Sequence, residues 1–283
     1  MILLTGGTGQ LGREFQNLFK KLGIEYIAPV RGELDITDIN TVKNFIEGKE
    51  IGFIINCAAY NDVDRAETEP EKCFAVNSLA PANLALEAKK LGAVFVTYSS
   101  DFVFDGWKNK PYTESDIPNP ISIYSESKSE GEKRVFAAYE KSFVIRTSWV
   151  FGMGNNNFVK SVISWSKERK KLELVDDQVS SPTYSKDLAE YSWKLINSGK
   201  FGLYHLSNDG VASKYDEGKY ILRKLGWKGE LVKVKTSKFN LPAKRPEYSK
   251  LSSQKSEKII GMKMPHWKNA IDRFFEEMEE GDQ

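Results

Sequence analysis

The chain has only two cysteines, Cys57 and Cys73, and two histidines, His205 and His266, among 283 residues. Two sulfurs cannot build a disulfide framework, and no spacing of Cys and His matches a metal-ligand pattern. Chemistry that needs several histidines is disfavoured for the same reason. Long apolar runs are missing too, since no stretch approaches the ~20 apolar residues of a membrane span. The N-terminus carries no leader pattern, because Met1 leads directly into a strand-like run. Charge of one sign is not in excess either: 41 basic residues stand against 39 acidic ones, scattered along the chain, which gives no hint of nucleic acid. The run from Lys167 to Lys171 and the acidic stretch Glu276 to Glu280 read as solvated helix surface. What remains is a cytoplasmic protein, with length for one large α/β domain and a smaller one.

What is there begins at residue 2. Ile2-Leu3-Leu4 reads as the end of a buried strand, Thr5-Gly6-Gly7-Thr8-Gly9-Gln10-Leu11-Gly12 as a glycine turn, and Arg13 to Leu22 as a helix. A helix N-terminus presents unpaired N–H groups, and glycines let a pyrophosphate approach them, so this context favours a dinucleotide site. Gly6, Gly9 and Gly12 fit one spacing and Gly7, Gly9 and Gly12 another; spacing alone does not choose between them.

Apolar runs then alternate with helical patterns, which indicates βα units and a doubly wound parallel sheet. Strands are expected at 25–29, 53–56, 94–99 and 143–146, with helices at 39–47, 70–91 and 123–139 between them. After Trp149 the rhythm changes: helical patterns at 155–171 and 184–198 flank an extended run at 172–175, and 202–206 is a further strand. The expected division is a Rossmann-type dinucleotide domain over 1–151, also taking in about 182–206, and a discontinuous, smaller α/β substrate domain over 152–283. Glu14 and its acidic neighbours leave a divalent metal ion as an open question.

The end of the second strand should carry the residue that chooses the cofactor, about 20 positions after the glycines. Val30-Arg31-Gly32-Glu33 stands there. A guanidinium at Arg31 suits a 2′-phosphate, which favours NADPH, while Glu33 keeps NADH possible. Asp35-Ile36-Thr37-Asp38 follows, with an Asp or Thr to cap the next helix.

Tyr124 and Lys128 lie four apart, on one face of the 123–139 helix. A lysine cation favours a phenolate, so Lys128 is expected to lower the Tyr124 pKa and make it a better proton donor to a ketone oxygen. Tyr215 with Lys219 and Tyr220 with Lys224 share the spacing. Only Tyr124 follows a sheet strand ending in hydroxyls, Thr97-Tyr98-Ser99-Ser100, so the other two pairs read as helix surface.

Together, Thr5-Gly6-x-x-Gly9-x-x-Gly12, Ser100 and Tyr124-x-x-x-Lys128 resemble the extended short-chain dehydrogenase/reductase superfamily. Asn56-Cys57-Ala58-Ala59-Tyr60 resembles its segment beneath the cofactor, and Asn77 the asparagine that supports its proton relay. Val63-Asp64-Arg65-Ala66-Glu67, Ser99 to Gly106, Arg146 to Val150, Asp177 to Thr183 and Arg245-Pro246 are similar to the dTDP-4-dehydrorhamnose reductase family, in order from residue 1 to about 275. The resemblance implies catalytic roles for Tyr124, Lys128, Ser100 and Asn77. It implies cofactor contacts at Gly9, Gln10, Leu11, Asp35, Ile36, Ala58, Ala59, Tyr60, Asn61, Tyr98, Tyr124 and Lys128. Ser100, Asp101 and Trp149 would meet the sugar, and Arg245 the diphosphate of a nucleotide-sugar substrate. The implied reaction is NAD(P)H-dependent reduction of a C4 ketone, by a homodimer.

Ser100 departs from a family position that is often threonine; its hydroxyl can make the same bond. Dehydratases of this superfamily need an adjacent Asp-Glu pair, and here Phe102 follows Asp101. Reduction of another nucleotide-linked 4-ketosugar, and a non-catalytic role like that of the methionine adenosyltransferase β subunit, stay open as alternatives.

Overall fold

The computed structural model describes residues 1–281. The apolar run ahead of the glycines forms β1 (Ile2–Thr5), buried throughout. The helix after them, α1 (Gln10–Leu22), starts three residues earlier than expected, on Gly9 as N-cap. Next come β2 (Tyr26–Ile27), α2 (Ile39–Ile46) and β3 (Phe53–Asn56). Of the candidates in 35–38 it is Asp38 that caps α2, accepting the Asn40 N–H at 2.9 Å.

The single helix expected over 70–91 is three pieces. After a short α3 (Val63–Ala66) come α4 (Pro70–Phe74), a π-helical turn at Ala75–Leu79, and α5 (Ala80–Leu91). Pro81 has no N–H to give the carbonyl four residues back, that of Asn77, and its ring crowds that carbonyl, so the regular ladder is interrupted there. The strand β4 (Val94–Ser100) leads into α6 (Ile123–Ala138), which is locked by a reciprocal cap: the Ser122 hydroxyl accepts the Ser125 N–H at 3.3 Å, and the Ser125 hydroxyl accepts the Ser122 N–H at 2.9 Å. Then follow β5 (Ser142–Thr147), β6 (Val150–Phe151), α7 (Phe158–Glu168), β7 (Lys171–Val175), β8 (Val179–Ser180) and β9 (Thr183–Tyr184). The chain continues through α8 (Ser185–Ile196), β10 (Gly202–His205), β11 (Ala212–Ser213), α9 (Lys214–Lys224), β12 (Glu230–Val234), α10 (Gln254–Ile260) and α11 (Trp267–Gly281).

Six strands make one parallel sheet in the order β10-β5-β4-β3-β1-β2. Phe15 and Phe19 of α1 and Leu188 and Leu195 of α8 cover one face. Val42 and Ile46 of α2, Leu84 of α5 and Val135 of α6 cover the other. This is the doubly wound α/β architecture, and α8 and β10 bring the stretch 185–205 into it. The order reverses between β1 and β3, and ligands of such sheets bind outside the strand C-termini at that switch. A third apolar cluster, with Phe151, Val162, Leu174, Ile221 and Phe274, is built mainly from residues after 150.

In the acidic stretch Glu276, Glu279 and Glu280 are exposed as expected, while Glu277 accepts the Tyr184 hydroxyl proton and pairs with Lys186 at 3.1 Å. Tyr220, half-buried, and Lys224, exposed on the helix surface, both reach Asp272 on α11. No described helix is long and apolar enough to cross a membrane.

Candidate active site

The glycine turn sits at the switch point, and its geometry decides the register that spacing left open. Gly6 has φ +70°, and a Cβ there would lie 2.4 Å from the Ala58 nitrogen. A Cβ on Gly12 would lie 2.3 Å from the Gly6 carbonyl oxygen. Gly7 carries neither constraint: its φ is not positive, and an added Cβ would meet only side-chain atoms inside 3.4 Å. The steric requirement for glycine therefore falls on Gly6 and Gly12, which belong to the Gly6-Gly9-Gly12 spacing. Asn56 fastens the floor beneath it: it accepts the Thr5 hydroxyl at 2.7 Å and the Ala58 N–H at 3.2 Å, and donates to Thr97 at 3.1 Å. One side chain thus ties β1, β3 and β4 together under the crevice.

Three cavities run on from the turn. The first, about 310 Å³, is lined by Gly6, Gly9, Arg31, Asp35, Ile36, Ala58, Ala59, Tyr60 and Asn61, with Lys72 and Asn155 added. Arg31 stands at its rim with 73% of its side chain exposed, 3.5 Å from Asp35. Hydrogen bonds from Thr37 lower the Asp35 pKa. The second, about 320 Å³, holds Gln10, Leu11, Tyr98, Ser100, Asp101, Tyr124, Lys128 and Trp149 and shares Gly9, Ala59, Asn61 and Asn155 with the first. The third, about 540 Å³, shares Gln10, Asn61 and Trp149 with the second and adds Lys214 and Arg245.

In the middle cavity Tyr124 and Lys128 are 8% and 7% exposed. Burial pushes the Tyr124 phenol up, opposed by the Ser100 hydroxyl, and pulls the Lys128 amine down to about 8. The lowering of Tyr124 expected from Lys128 is not seen: enclosure disfavours the charged form of each, and Lys128 is not among the groups that oppose the rise of Tyr124. Lys128 Nζ is anchored on the Tyr98 carbonyl at 3.1 Å, which aims it along the β4 end.

Asn77 does not line these cavities. Its amide brackets Tyr60, accepting from the N–H and donating to the carbonyl, both at 2.9 Å, and donates to Ser127 at 3.1 Å. Its contacts hold the cofactor-side loop and the Tyr124 turn of α6 together. Asp101, for which a sugar contact was implied, has its carboxylate occupied by Ser100, Ser180 and Ser249. Arg245 donates to Asp64 at 2.6 Å and to the Ala243 carbonyl at 2.8 Å. Trp149 has φ +45°, uncommon for a bulky residue. The Lys214 ammonium lies 3.5 Å from the centre of its ring.

A family model described as RmlD substrate binding domain matches residues 1–280. The chain belongs to this family. Spore coat polysaccharide biosynthesis protein SpsK of Bacillus subtilis is 36% identical to it, covering 98% of this chain and 97% of its own. A dTDP-4-dehydrorhamnose reductase of Escherichia coli is 32% identical over 98% and 97% of the two chains. The crystal structure of dTDP-4-dehydrorhamnose reductase from Bacillus anthracis in complex with NADP superimposes with a TM-score of 0.94, at 36% identity over 98% of each chain.

Within this family member, sequence reasoning passed over Asn155, Lys72 and Lys214. Asn155 was placed at the start of a helix; it lies in the loop before α7 and lines the first two cavities. Its neighbour Asn157 caps α7 and donates to Gln10 at 2.9 Å, so this loop closes over the glycine turn. The run Gly154-Asn155-Asn156-Asn157 was the available signal, since Gly and Asn concentrate in caps and turns. Glu14 is buried, which with Glu277 nearby raises its pKa; no group of three or more His, Cys, Asp or Glu among the described residues is placed to hold a metal ion.

Proposed function

We propose that this protein reduces the C4 ketone of dTDP-4-dehydro-L-rhamnose with NADPH, forming dTDP-L-rhamnose in deoxysugar nucleotide biosynthesis. The observation that carries the reading is the continuity of the crevice: one channel joins the glycine turn, the Ser100–Tyr124–Lys128 group and Trp149, in a chain of a family whose named members include this reductase. The turn fits a dinucleotide: glycine at 6 and 12 lets it pack tightly on the 57–58 backbone and on itself, at the N-terminus of α1 where a pyrophosphate would sit. Gly9, Gln10, Leu11 and the 58–61 segment would hold the cofactor, with Arg31 at the 2′-phosphate. When bound, reduced nicotinamide supplies the hydride.

The chain's own residues do the rest. Tyr124, kept protonated by burial, gives its hydroxyl proton to the ketone oxygen as charge develops there. Lys128 stabilises the phenolate left behind, and Ser100 orients the ketone by hydrogen bonding. Trp149 offers the sugar an apolar wall, and Arg245 meets the diphosphate. The division into a dinucleotide unit of 1–151 with 182–206 and a substrate unit from the remainder, and assembly as a homodimer, belong to the same proposal.

The deciding experiment follows nicotinamide absorbance with purified protein, enzymatically generated dTDP-4-dehydro-L-rhamnose, and NADPH or NADH in parallel. Substrate-dependent oxidation, faster with NADPH and yielding dTDP-L-rhamnose, is the expected result. Cofactor binding without oxidation would overturn the reading in favour of another ketosugar or a non-catalytic role.

A further inference from the structure

Arg146 and Glu132 form an ion pair that is 2% and 7% exposed, one helical turn beyond Lys128. Arg146 stands near the end of β5 and Glu132 on α6. The guanidinium takes both carboxylate oxygens: Nε donates to Oε1 at 2.8 Å and Nη2 to Oε2 at 2.5 Å. It is itself set from behind by His205, its register partner on β10. His205 Nδ1 lies 3.2 Å from the Tyr112 carbonyl, which places the ring proton there and leaves Nε2 as an acceptor, 3.4 Å from Arg146 Nη1. Burial and the guanidinium pull the His205 pKa down to about 3, so the ring stays neutral.

A buried ion pair adds little net stability, because desolvating two charges costs about what their attraction returns, and apolar side chains could join α6 to β5 as firmly. The place of this pair supplies a use for it. Glu132 follows Lys128 by four residues, and residues so spaced share a helix face with about 5–6 Å between Cβ atoms. An uncompensated carboxylate at 132 would compete for the Lys128 ammonium and draw it from the Tyr98 carbonyl, 3.1 Å from Nζ. It would also set a negative charge near the phenolate that Tyr124 becomes, where little water is present to screen it. Besides Tyr124 and Glu132 on its own helix, Lys128 has Cys73 of α4 and Asp101 of the same cavity around it. Burial raises the pKa of the Cys73 thiol, and three serine hydroxyls hold the Asp101 carboxyl. Glu132 is the group whose charge the Arg146 fork cancels.

We infer that Arg146 is a positioning residue that acts on Lys128 through Glu132: by occupying both carboxylate oxygens it keeps Glu132 from pairing with Lys128, and so leaves the ammonium to stabilise the Tyr124 phenolate. The catalytic consequence rests on the reductase reading above.

The test compares Arg146→Met, Glu132→Gln and the double variant Arg146→Met with Glu132→Met, all in the full chain. It reads the pH profile of kcat and, independently of turnover, the titration of Lys128 by NMR of isotope-labelled lysine. Lys128, at about 8, sets the alkaline limb of the wild-type profile, since Tyr124 is pushed well above it. In Arg146→Met the carboxylate is released toward Lys128. The limb and the lysine titration should both move up by about one unit, while kcat on the plateau falls by roughly tenfold or more. In Glu132→Gln the guanidinium is left uncompensated, and both should move down. In the double variant neither charge remains, so the titration and kcat should return close to wild type. Losses of kcat without movement of the limb, or movement in the same direction in both single variants, would overturn the inference and leave the pair a structural anchor of α6. Should Arg146→Met fail to fold, Glu132→Gln against the double variant carries the comparison: a downward shift in the first and none in the second is expected, and no shift in either overturns it. Opposite lysine shifts in a protein that reduces no 4-ketosugar nucleotide would uphold the coupling of Arg146 to Lys128 and sink the reductase reading, a distinguishable failure.

Discussion

Burial reinforces the neutral form that a phenol already favours in water and works against the charged form that an amine favours, and Tyr124 and Lys128 show both. Each is driven toward its neutral form, Lys128 to about 8. A neutral phenol is the state a proton donor must start from. Tyr124→Phe should lower turnover by a factor of about 10²–10⁴, the usual worth of a positioned general acid. NADPH affinity should stay within about twofold, checked by fluorescence titration. Turnover close to wild type would remove Tyr124 from the role. Asp101 gives a second prediction, on stability. Burial lifts its carboxyl from 3.8 to about 6. A folded value above the unfolded one means that the folded state binds the proton more tightly. Its stabilising contribution is then complete below the unfolded value and lost as pH rises through the folded one. Asp101→Asn cannot ionise, so its melting temperature relative to wild type should climb from about pH 4 to about pH 7. A flat difference would show that the carboxyl titrates normally. Arg31 is legible in the sequence by position alone, and its exposure bears on its use. An exposed pair such as Arg31–Asp35 is worth at most about 1 kcal/mol, so little keeps the guanidinium from a 2′-phosphate. Arg31→Ala should weaken NADPH by roughly tenfold or more and leave NADH affinity unchanged, read by competition between the two cofactors.

The elements were legible where a period or a punctuating residue exposed them. The β1–glycine–α1 unit was plain because an apolar run, a glycine cluster and a helical pattern succeed one another. The break at 75–79 was not, although Pro81 stood in the sequence: the apolar spacing runs through it uninterrupted. The later strands of two residues, such as β8 and β11, are too short to show an alternation at all. The break has a function that only packing reveals. The Asn77 carbonyl, to which Pro81 has no N–H to give, faces α6 so closely that a Cβ added at Gly131 would lie 2.2 Å from its oxygen. Gly131 is the reason that α6, with Tyr124 and Lys128 on it, can lie flush on the π turn whose Asn77 side chain holds Tyr60. Gly131→Ala must move one of the two. Helix propensity alone would favour alanine by about 1 kcal/mol. A steric clash should reverse that sign, giving a net destabilisation of roughly 1–3 kcal/mol, visible in urea unfolding, with kcat falling more than NADPH affinity. An Ala variant more stable than wild type would show that the contact is slack.

At the scale of the whole molecule, the first half of the site could be read from local pattern, and the second half only through the family resemblance. Glycine turn, Tyr-Lys pair and strand-end hydroxyl lie on one sheet edge and follow from local pattern and topology. Arg245 and Asp64 are 181 residues apart, and nothing local to either announces the other. Their ion pair, with the Ala243 carbonyl as a second acceptor, joins α3 at the cofactor side to the 243–249 segment that also supplies Ser249. The guanidinium is thus already holding two groups while it lines the outer cavity, and its planar fork has further N–H donors to offer a diphosphate. A lysine has a single point charge and cannot serve three acceptors in that geometry. Arg245→Lys should therefore behave more like Arg245→Ala than like wild type. Both should raise KM for the nucleotide sugar by roughly tenfold, the worth of a charge-assisted hydrogen bond, and both should loosen inhibition by dTDP far more than inhibition by thymidine. NADPH affinity should not change, because Arg31, not Arg245, stands at that end of the channel. Full rescue by lysine would show that only the charge at 245 matters and that the fork is not used. Equal losses for dTDP and thymidine would show that Arg245 supports the fold of the 243–249 segment and does not touch phosphate.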